Sequence, residues 1–123
     1  MKHEKIPMVL VVDDDKYTRG SIMALLSKWG IETDEAENGN AAIKKMKEKK
    51  YSLILLDMKM GEKSGLDVLQ EMKSCNITVP VILITAYPHD ERIEKAIEYN
   101  IDLLFKPVDP AELKNTIRQY IKI

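Results

Sequence analysis

Short apolar runs alternate along the chain with longer amphipathic stretches, and this alternation predicts strands followed by helices. The most apolar run covers residues 52–56 and leads straight into Asp57. A run this apolar is typical of a strand that is buried on both faces, as in a parallel sheet. Met8–Val12, 80–84 and 101–105 are similar runs, whereas residues 31–36 are partly polar, which is typical of an edge strand.

Five segments between and after these runs carry apolar residues at helical spacing. Gly30 ends the first of them, Asn40 is placed to cap the second, and Pro110 suits the first turn of the last. A turn at Asn38 and Gly39 precedes the second segment. The predicted buried positions are Ile22, Leu25, Leu26, Trp29, Ala42, Ile43, Met46, Leu66, Leu69, Met72, Ile93, Ala96, Ile97, Leu113, Ile117 and Tyr120.

Strands that alternate with helices at about this spacing favour right-handed crossovers between parallel strands. The sequence therefore predicts an α/β fold, a single doubly wound five-stranded parallel sheet with five helices on its two faces. The length of 123 residues fits one domain, without a linker or an internal repeat. We expect residues 1–123 to form that domain, after a short polar tail that contains His3.

Composition and charge narrow the classes of function. With 45% hydrophobic and 32% charged residues and a net charge of -1, the chain gives no reason to expect direct nucleic-acid binding or a membrane surface. It shows neither a signal peptide nor a membrane span, so we expect a cytoplasmic protein. The single cysteine, Cys75, is interpreted as an incidental thiol, His89 as a surface residue and the lysine-rich run 44–50 as a solvated helix face.

Polar residues stand at the carboxyl ends of the predicted strands. Asp13 and Asp14 follow the first strand, Asp57 ends the third, Thr85 the fourth, and Lys106 follows the fifth. Strands of a parallel sheet end at the same edge, and ligands bind there, near the point where strand order reverses. These five side chains are therefore expected to share one site.

The charges of that site indicate its chemistry. Two unit charges about 4 Å apart repel by roughly 4 kcal/mol at an effective dielectric of about 20, and here three carboxylates face one ammonium. A hard divalent cation such as Mg²⁺ resolves the imbalance, and it keeps waters that a phosphate can replace. Asp57, central in the sheet, is then placed to be the nucleophile that takes a phosphoryl group, which Thr85 and Lys106 can hold.

The alternative interpretation assigns these residues no joint role. Any of the three aspartates at positions 13–15 can be a turn or cap residue before a helix, and Thr85 can simply end a strand. Lys106-Pro107 is a common dipeptide. The occurrence of suitable residues at four strand ends favours the joint site over this account.

Four motifs carry a resemblance to a known family. They are Val11-Val12-Asp13-Asp14-Asp15, Leu55-Leu56-Asp57-Met58-Lys59-Met60 with Gly65 following, Ile84-Thr85-Ala86, and Lys106-Pro107. As a set, the motifs closely resemble the receiver domain of two-component response regulators, of the chemotaxis-regulator kind, over residues 8–121. The resemblance implies a flavodoxin-like strand order of 2-1-3-4-5 and a phosphorylation-dependent switch that is a regulatory domain rather than an enzyme.

The resemblance also implies a role for each residue of the acidic site. Asp57 matches the aspartate that accepts a phosphoryl group from a histidine of a sensor kinase or phosphotransfer protein. Asp14 matches a direct Mg²⁺ ligand, and Asp13 matches a partner acid that acts largely through water. Lys59 matches the position whose backbone carbonyl completes the metal site.

Three further positions match the family's switching residues. Thr85 matches the hydroxyl that moves toward the phosphoryl group, and Lys106 matches the lysine that pairs with it. The peptide bond between Lys106 and Pro107 is expected to be cis. By likeness, these residues let the domain catalyse its own phosphorylation and dephosphorylation.

The chain departs from the family pattern in the path of the signal. Gly61 stands where proline is common, which should loosen that loop. Leu103 stands where many receivers have Tyr or Phe, a ring that reports the threonine movement. Phe105 lies on the same side of the strand and is expected to be mainly core. We therefore expect the signal to run through Thr85 and backbone shifts of the fourth helix.

Two more side chains bear on the lifetime of the phosphorylated state, according to the resemblance. Lys59 and Tyr87 occupy the positions two after the acceptor and two after the threonine. Neither readily orients a water molecule for attack, and Tyr87 can shield the phosphoryl group. We expect slow self-dephosphorylation.

Alternatives differ in what they require of the sequence. A flavin carrier on the same topology needs a Ser/Thr/Gly-rich phosphate loop where three aspartates stand. An interaction-only pseudo-receiver normally lacks the acceptor or the metal acids. An aspartyl-phosphate hydrolase needs a second aspartate where Lys59 stands.

The sequence says less about the downstream partner of the domain than about the chemistry of the acidic site. We expect no output domain after the last predicted helix, and we interpret the chain either as a stand-alone regulator of a downstream protein or as the receiver of a longer transcription regulator or hybrid kinase. The contact surface is expected around the fourth helix, fifth strand and fifth helix, where a dimer can also form. Its exposed residues are predicted to include Glu94, Glu98, Lys114 and Arg118.

Overall fold

Five parallel strands form one sheet with the order β2-β1-β3-β4-β5 in a computed structural model that describes residues 6–123. The fold class and strand order expected from the sequence are confirmed. The strands are β1 (Met8–Val12), β2 (Glu32–Ala36), β3 (Leu53–Asp57), β4 (Val81–Thr85) and β5 (Asp102–Phe105). The helices are α1 (Lys16–Lys28), α2 (Gly39–Glu48), α3 (Gly65–Ser74), α4 (Arg92–Ile97) and α5 (Pro110–Ile117).

Alternate residues of the strands supply two separate cores, because successive side chains point to opposite faces of a sheet. Leu10, Ile54 and Leu83 pack with the apolar faces of α2, α3 and α4. Val11 and Leu55 pack on the other face with α1 and α5. Every residue of β3 and of β4 is buried, so both central strands are covered on both faces, as their sequences predict.

The helix starts follow from local hydrogen bonds. The side chain of Asp15 caps α1 by accepting bonds from the backbone of the first turn, and Pro110 begins α5 as expected. Asn38, rather than the predicted Asn40, caps α2, because its side chain accepts a bond from the N–H of Ala41. The prediction placed this cap two residues too late.

Three aromatic or apolar side chains that were predicted to be buried are exposed. Ile97, Phe105 and Tyr120 have exposed fractions of 54%, 45% and 37%. Ile97 ends the short helix α4 and Phe105 ends the edge strand β5, so few neighbouring elements cover them. Tyr120 follows the end of α5, and its hydroxyl donates a hydrogen bond to Asp102. This bond, together with partial burial, raises the pKa of Tyr120 to about 12.

Cys75 and His89 are exposed, and Lys45 and Lys49 of the lysine-rich run pair with Asp34. His3 and most of the predicted polar tail lie outside the described residues. Within residues 6–123, none of the helices is long and apolar enough to cross a membrane.

Candidate functional site

Strand register brings the predicted site residues to one edge of the sheet. Val12 of β1 pairs with Leu56 of β3, so the residues that follow each of them, Asp13 and Asp57, end at the same level. On the other side of β3, Asp57 pairs with Ile84 of β4. Thr85 in turn is level with Phe105 of β5, which is directly followed by the site lysine.

Lys106 joins the two buried carboxylates. Its Nζ donates a hydrogen bond to Oδ2 of Asp13 at 3.0 Å and lies 3.3 Å from Oδ1 of Asp57. Asp13 and Asp57 are only 2% and 6% exposed. Burial alone would lower the pKa of Lys106, but the bond to Asp13 and the attraction of Asp57 outweigh it and raise that pKa. The ammonium therefore stays charged in this setting.

The surroundings of Asp57 disfavour the ionised form of its carboxyl group. Burial raises the pKa of its carboxyl group to about 6, and repulsion from Asp13 adds to the effect. Lys106 offsets only part of this, because its shorter contact is with Asp13. Excess negative charge is thus held at this edge of the sheet, as the sequence predicted.

The three carboxylates are arranged as a cation site. One oxygen each of Asp13, Asp14 and Asp57 lies within 4.8 Å of the others. Asp14 is exposed while its two partners are buried, so the group opens toward solvent on one side. An all-oxygen donor set with an open side fits a hard divalent cation that keeps bound water. The residues present therefore fit Mg²⁺.

A cavity of about 340 Å³ lies over these carboxylates. Lys59 and Tyr87 line it from the β3–α3 and β4–α4 loops, and the Nζ of Lys59 lies 4.6 Å from the centre of the Tyr87 ring. An ammonium at this distance from an aromatic face is attracted to it. The two loops thus meet across the mouth of the cavity.

Thr85 reaches the same edge, but its side chain does not line this cavity. It is fully buried, and its hydroxyl oxygen accepts a hydrogen bond from the N–H of Tyr87 at 3.1 Å. Its carbonyl accepts a bond from the N–H of Lys106 at 2.8 Å. The peptide bond between Lys106 and Pro107 is cis, as the resemblance implied.

Gly61 adopts a backbone conformation that proline cannot reach. Its φ angle is +63°, whereas the ring of proline holds φ near -65°. The loop after β3 therefore follows a path in this chain that requires a residue without a Cβ or one that tolerates strain. This explains the departure from proline at this position in terms of backbone geometry.

Sequence reasoning missed Arg19, which is 9% exposed and lies next to the acidic pair. Its guanidinium donates one hydrogen bond to the side chain of Glu35 and another to the backbone carbonyl of Asp13, both at 2.8 Å. A signal was present in the sequence, because Arg19 lies three and seven residues before Ile22 and Leu26. That spacing places a charged residue on the buried stripe of α1.

The chain matches a known protein family over most of its length. Residues 9–118 match the family described as response regulator receiver domain. The chain is 35% identical over 97% of its length to the transcriptional regulatory protein ZraR of Escherichia coli K12, and it spans only 27% of that protein. It is 32% identical to sporulation initiation phosphotransferase F of Bacillus subtilis, with 100% of this chain and 98% of that protein covered.

Solved structures agree in fold. The response regulator TrrA of Thermotoga maritima, in complex with Mg²⁺ and BeF, has a TM-score of 0.85 and 33% identity, with 94% of this chain and 99% of that chain covered. A receiver protein of Pseudomonas putida has a TM-score of 0.90 and 25% identity, with 95% and 99% covered. The chain therefore belongs to the response regulator receiver domain family, and it is a phosphoacceptor switch of two-component signalling.

Proposed function

We propose that Asp57 is the phosphoacceptor of this switch and that it takes its phosphoryl group from a phosphohistidine of a sensor kinase or phosphotransfer protein. The observation that carries the proposal is the position of its carboxylate, 3.3 Å from Lys106 and within the acidic group formed with Asp13 and Asp14. It lies at the floor of a cavity that is open to a donor.

The transfer needs an ionised carboxylate. With a pKa of about 6, Asp57 is mostly ionised at neutral pH and has a free lone pair for attack. An oxygen of Asp57 forms a bond to phosphorus while the bond from phosphorus to the imidazole nitrogen breaks. The imidazole leaves with the bonding electron pair, and Asp57 becomes an acyl phosphate.

Asp13, Asp14, Asp57 and the backbone carbonyl of Lys59 are the groups that we propose hold Mg²⁺. When bound, the cation neutralises charge that would otherwise build up between the carboxylates and the phosphoryl oxygens. Asp13 also keeps Lys106 oriented through their hydrogen bond, so the ammonium is in place for the incoming group. The domain in this way catalyses its own phosphorylation, although it is a regulatory module rather than an ordinary enzyme.

Phosphorylation changes the partners of Thr85 and Lys106. We propose that Lys106 turns from Asp13 toward the phosphoryl oxygens. The hydroxyl of Thr85 also moves toward these oxygens, and it then no longer accepts its hydrogen bond from the N–H of Tyr87. Tyr87 lies in the loop before α4, so the loss of that bond transmits the event to this helix. Leu103 and its neighbours in the core need not move.

The proposed output surface consists of the exposed side chains of α4, β5 and α5. Phe105 and Ile97 are its exposed apolar residues, and Glu94, Glu98 and Arg118 are exposed around them. Lys114, which was also predicted for this surface, is half-buried, and its Nζ lies 5.6 Å from the ring of Trp29. A downstream protein, an attached output domain or a second receiver can occupy the surface.

The proposal is tested by mapping phosphorylation. The protein is incubated with acetyl phosphate, with Mg²⁺ or with a chelator, and analysed by intact-mass and peptide mass spectrometry. We expect one phosphoryl group on Asp57, its formation only with Mg²⁺, and its loss in Asp57→Asn. A Glu62→Gln variant, changed at an exposed carboxylate of the neighbouring loop, should react like the parent. Modification that persists in Asp57→Asn contradicts the proposal.

A further inference from the structure

Arg19 is a buried cation to which the proposed transfer assigns no part. Its side chain is buried, and it donates hydrogen bonds of 2.8 Å to Glu35 of β2 and to the backbone of Asp13, which follows β1. Burying a guanidinium is costly unless its donors are satisfied. Glu35, which pairs with Val11 in the sheet register, supplies the opposite charge from the edge strand.

The second acceptor of Arg19 is the backbone carbonyl of Asp13, which belongs to the peptide group that joins Asp13 to Asp14. A peptide group is planar, so fixing its carbonyl direction limits the orientations of the residues on both sides. The other polar groups of Asp13 are also held. Its N–H donates to Ala36, its Oδ1 accepts from the N–H of Asp15, and its Oδ2 accepts from Lys106.

We propose that Arg19 is a positioning residue for the acidic pair. It holds the peptide between Asp13 and Asp14 so that both carboxylates face the cavity over Asp57, and Glu35 holds the guanidinium in place. The inference rests on the proposed function, because it assigns Arg19 to the same cation site. Removal of a group that hydrogen-bonds to the metal ligands and orients them typically lowers metal affinity by about 10- to 100-fold.

A purely structural role for Arg19 makes a different prediction. If the side chain only ties α1 to β2, its removal lowers the melting temperature but leaves the affinity of the folded protein for Mg²⁺ unchanged. If it orients the acidic pair, the affinity falls even when the protein is fully folded. Excess Mg²⁺ should then restore the rate at which acetyl phosphate modifies Asp57.

The experiment measures Mg²⁺ affinity by isothermal titration calorimetry at a temperature where circular dichroism shows each variant to be folded. We expect Arg19→Met to weaken Mg²⁺ binding about 10-fold. Arg19→Lys, which keeps the charge but cannot serve both acceptors with a planar fork, should fall between it and the parent. Ile22→Val, a truncation on the same buried stripe of α1, should lower the melting temperature and keep the parent's affinity.

Glu35→Gln provides a variant whose folding is less at risk, because the Glu35 side chain is about half exposed. It should weaken Mg²⁺ binding in the same direction and by a smaller factor than Arg19→Met. Unchanged affinity in both Arg19→Met and Glu35→Gln, or in Glu35→Gln alone if Arg19→Met does not fold, overturns the inference. Absence of Mg²⁺ binding by the parent would instead reject the proposed function on which it rests.

Discussion

Asp57 occupies a position that favours its chemistry and disfavours the folded state. Its carboxylate is buried beside Asp13, and these two causes together place its pKa at about 6, above the ordinary value of 3.8. A carboxyl group whose pKa is raised on folding makes the native state less stable at every pH at which it is ionised. The penalty appears as pH rises through about 4 to 6.

We therefore expect Asp57→Asn to be more stable than the parent in metal-free buffer at pH 7.5. The shift of about two pKa units corresponds to a gain of about 1 to 3 kcal/mol in the free energy of unfolding. Urea denaturation in the presence of a chelator measures it. Glu62→Gln, at an exposed carboxylate, should change this free energy by less than about 0.5 kcal/mol. A parent at least as stable as Asp57→Asn would show that burial does not strain the carboxylate.

Lys59 is expected to prolong the phosphorylated state. Its ammonium lies over the Tyr87 ring, so the two side chains restrict the approach of water to the cavity. In Lys59→Asn the contact is lost and an amide able to orient water takes its place. We expect the phosphorylated variant to hydrolyse several-fold faster than the parent, measured by the decay of the phosphorylated mass after removal of donor. Lys63→Asn, changed in the same loop, is the control. Equal decay rates in Lys59→Asn and the parent would contradict this prediction.

Residues that end strands were predictable, and residues that act through the backbone were not. Asp13, Asp57 and Lys106 stand directly after apolar runs, so the topology of a parallel sheet implies that they meet. Arg19 binds a backbone carbonyl and Glu35, which is 16 residues away in the chain. No local pattern encodes such a pair, although a charged residue on an apolar stripe was a sign that a buried partner existed.

The junction of β3 and α3 depends on close packing at Gly65. A Cβ at this position would lie 2.7 Å from the carbonyl oxygen of Asp57 and 2.9 Å from Cδ1 of Leu83. The N–H of Gly65 also donates a 2.7 Å hydrogen bond to the carbonyl of Met58. A side chain at position 65 must therefore push α3 away from the strand that carries the acceptor.

We expect Gly65→Ala to lower the free energy of unfolding by about 1 to 3 kcal/mol and to slow modification of Asp57 by acetyl phosphate. Gly20→Ala is the matched control, because a Cβ at Gly20 meets nothing within 4 Å among the described residues and alanine favours a helix. It should raise stability by up to about 1 kcal/mol. Urea denaturation and phosphorylation rates test both variants. Equal effects of the two substitutions would contradict the claim that close packing at Gly65 excludes a side chain.

Asp34 links the edge strand β2 to Lys45 of α2 and to Tyr51, which precedes β3. Partial burial alone would raise the pKa of Asp34, but hydrogen bonds from the hydroxyl of Tyr51 and from Lys45 outweigh it and lower the pKa to about 2. The Tyr51 hydroxyl and the Lys45 ammonium lie 2.7 and 3.1 Å from its oxygens. A carboxyl group whose pKa falls on folding stabilises the protein above its unfolded pKa, and this contribution is lost as pH drops toward 2.

Asp34→Asn should therefore be less stable than the parent at pH 7 by about 1 to 2 kcal/mol, after allowance for the partial exposure of the pair. The difference should shrink as pH falls below about 4. Urea midpoints at pH 7, 5, 4 and 3 give this dependence. Glu32→Gln, at an exposed residue of the same strand, should stay within about 0.5 kcal/mol of the parent throughout. A constant difference at all four pH values would contradict the assignment to ionised Asp34.

Apolar periodicity predicted the strands and helices correctly, but it predicted the exposure of individual side chains less well. Each predicted strand and helix is present, because apolar period and length report what one segment buries. Phe105 and Ile97 were misplaced because their exposure depends on where neighbouring elements end, and β5 is an edge strand beside the short α4. Those two errors lie on the surface that is proposed for output contacts.

At the scale of the whole molecule, the acidic site rests on buried strands, while the segment that is proposed to receive its signal is a short helix. β3 and β4 are buried throughout, and their register fixes Asp57 and Thr85. In contrast, α4 has only six residues, and Asp90 in the loop before it accepts a hydrogen bond from the N–H of Arg92 at 3.0 Å. Helices this short depend on tertiary contacts for stability. A small change at Thr85 can therefore shift α4 without disturbing the sheet.

This asymmetry predicts where phosphorylation alters backbone dynamics. Hydrogen–deuterium exchange of the protein with and without Mg²⁺ and beryllofluoride, a mimic of the phosphoryl group, should differ mainly in residues 86–100, while amides of β1, α2 and β3 change little. Thr85→Ala lacks the hydroxyl that bonds Tyr87 before phosphorylation and the phosphoryl group afterwards. This variant should bind the mimic but lose most of the exchange difference in residues 86–100. Leu103→Ala should retain that difference if the signal travels by the backbone. Changes centred on β5, or an unaltered response in Thr85→Ala, would place the signal path elsewhere.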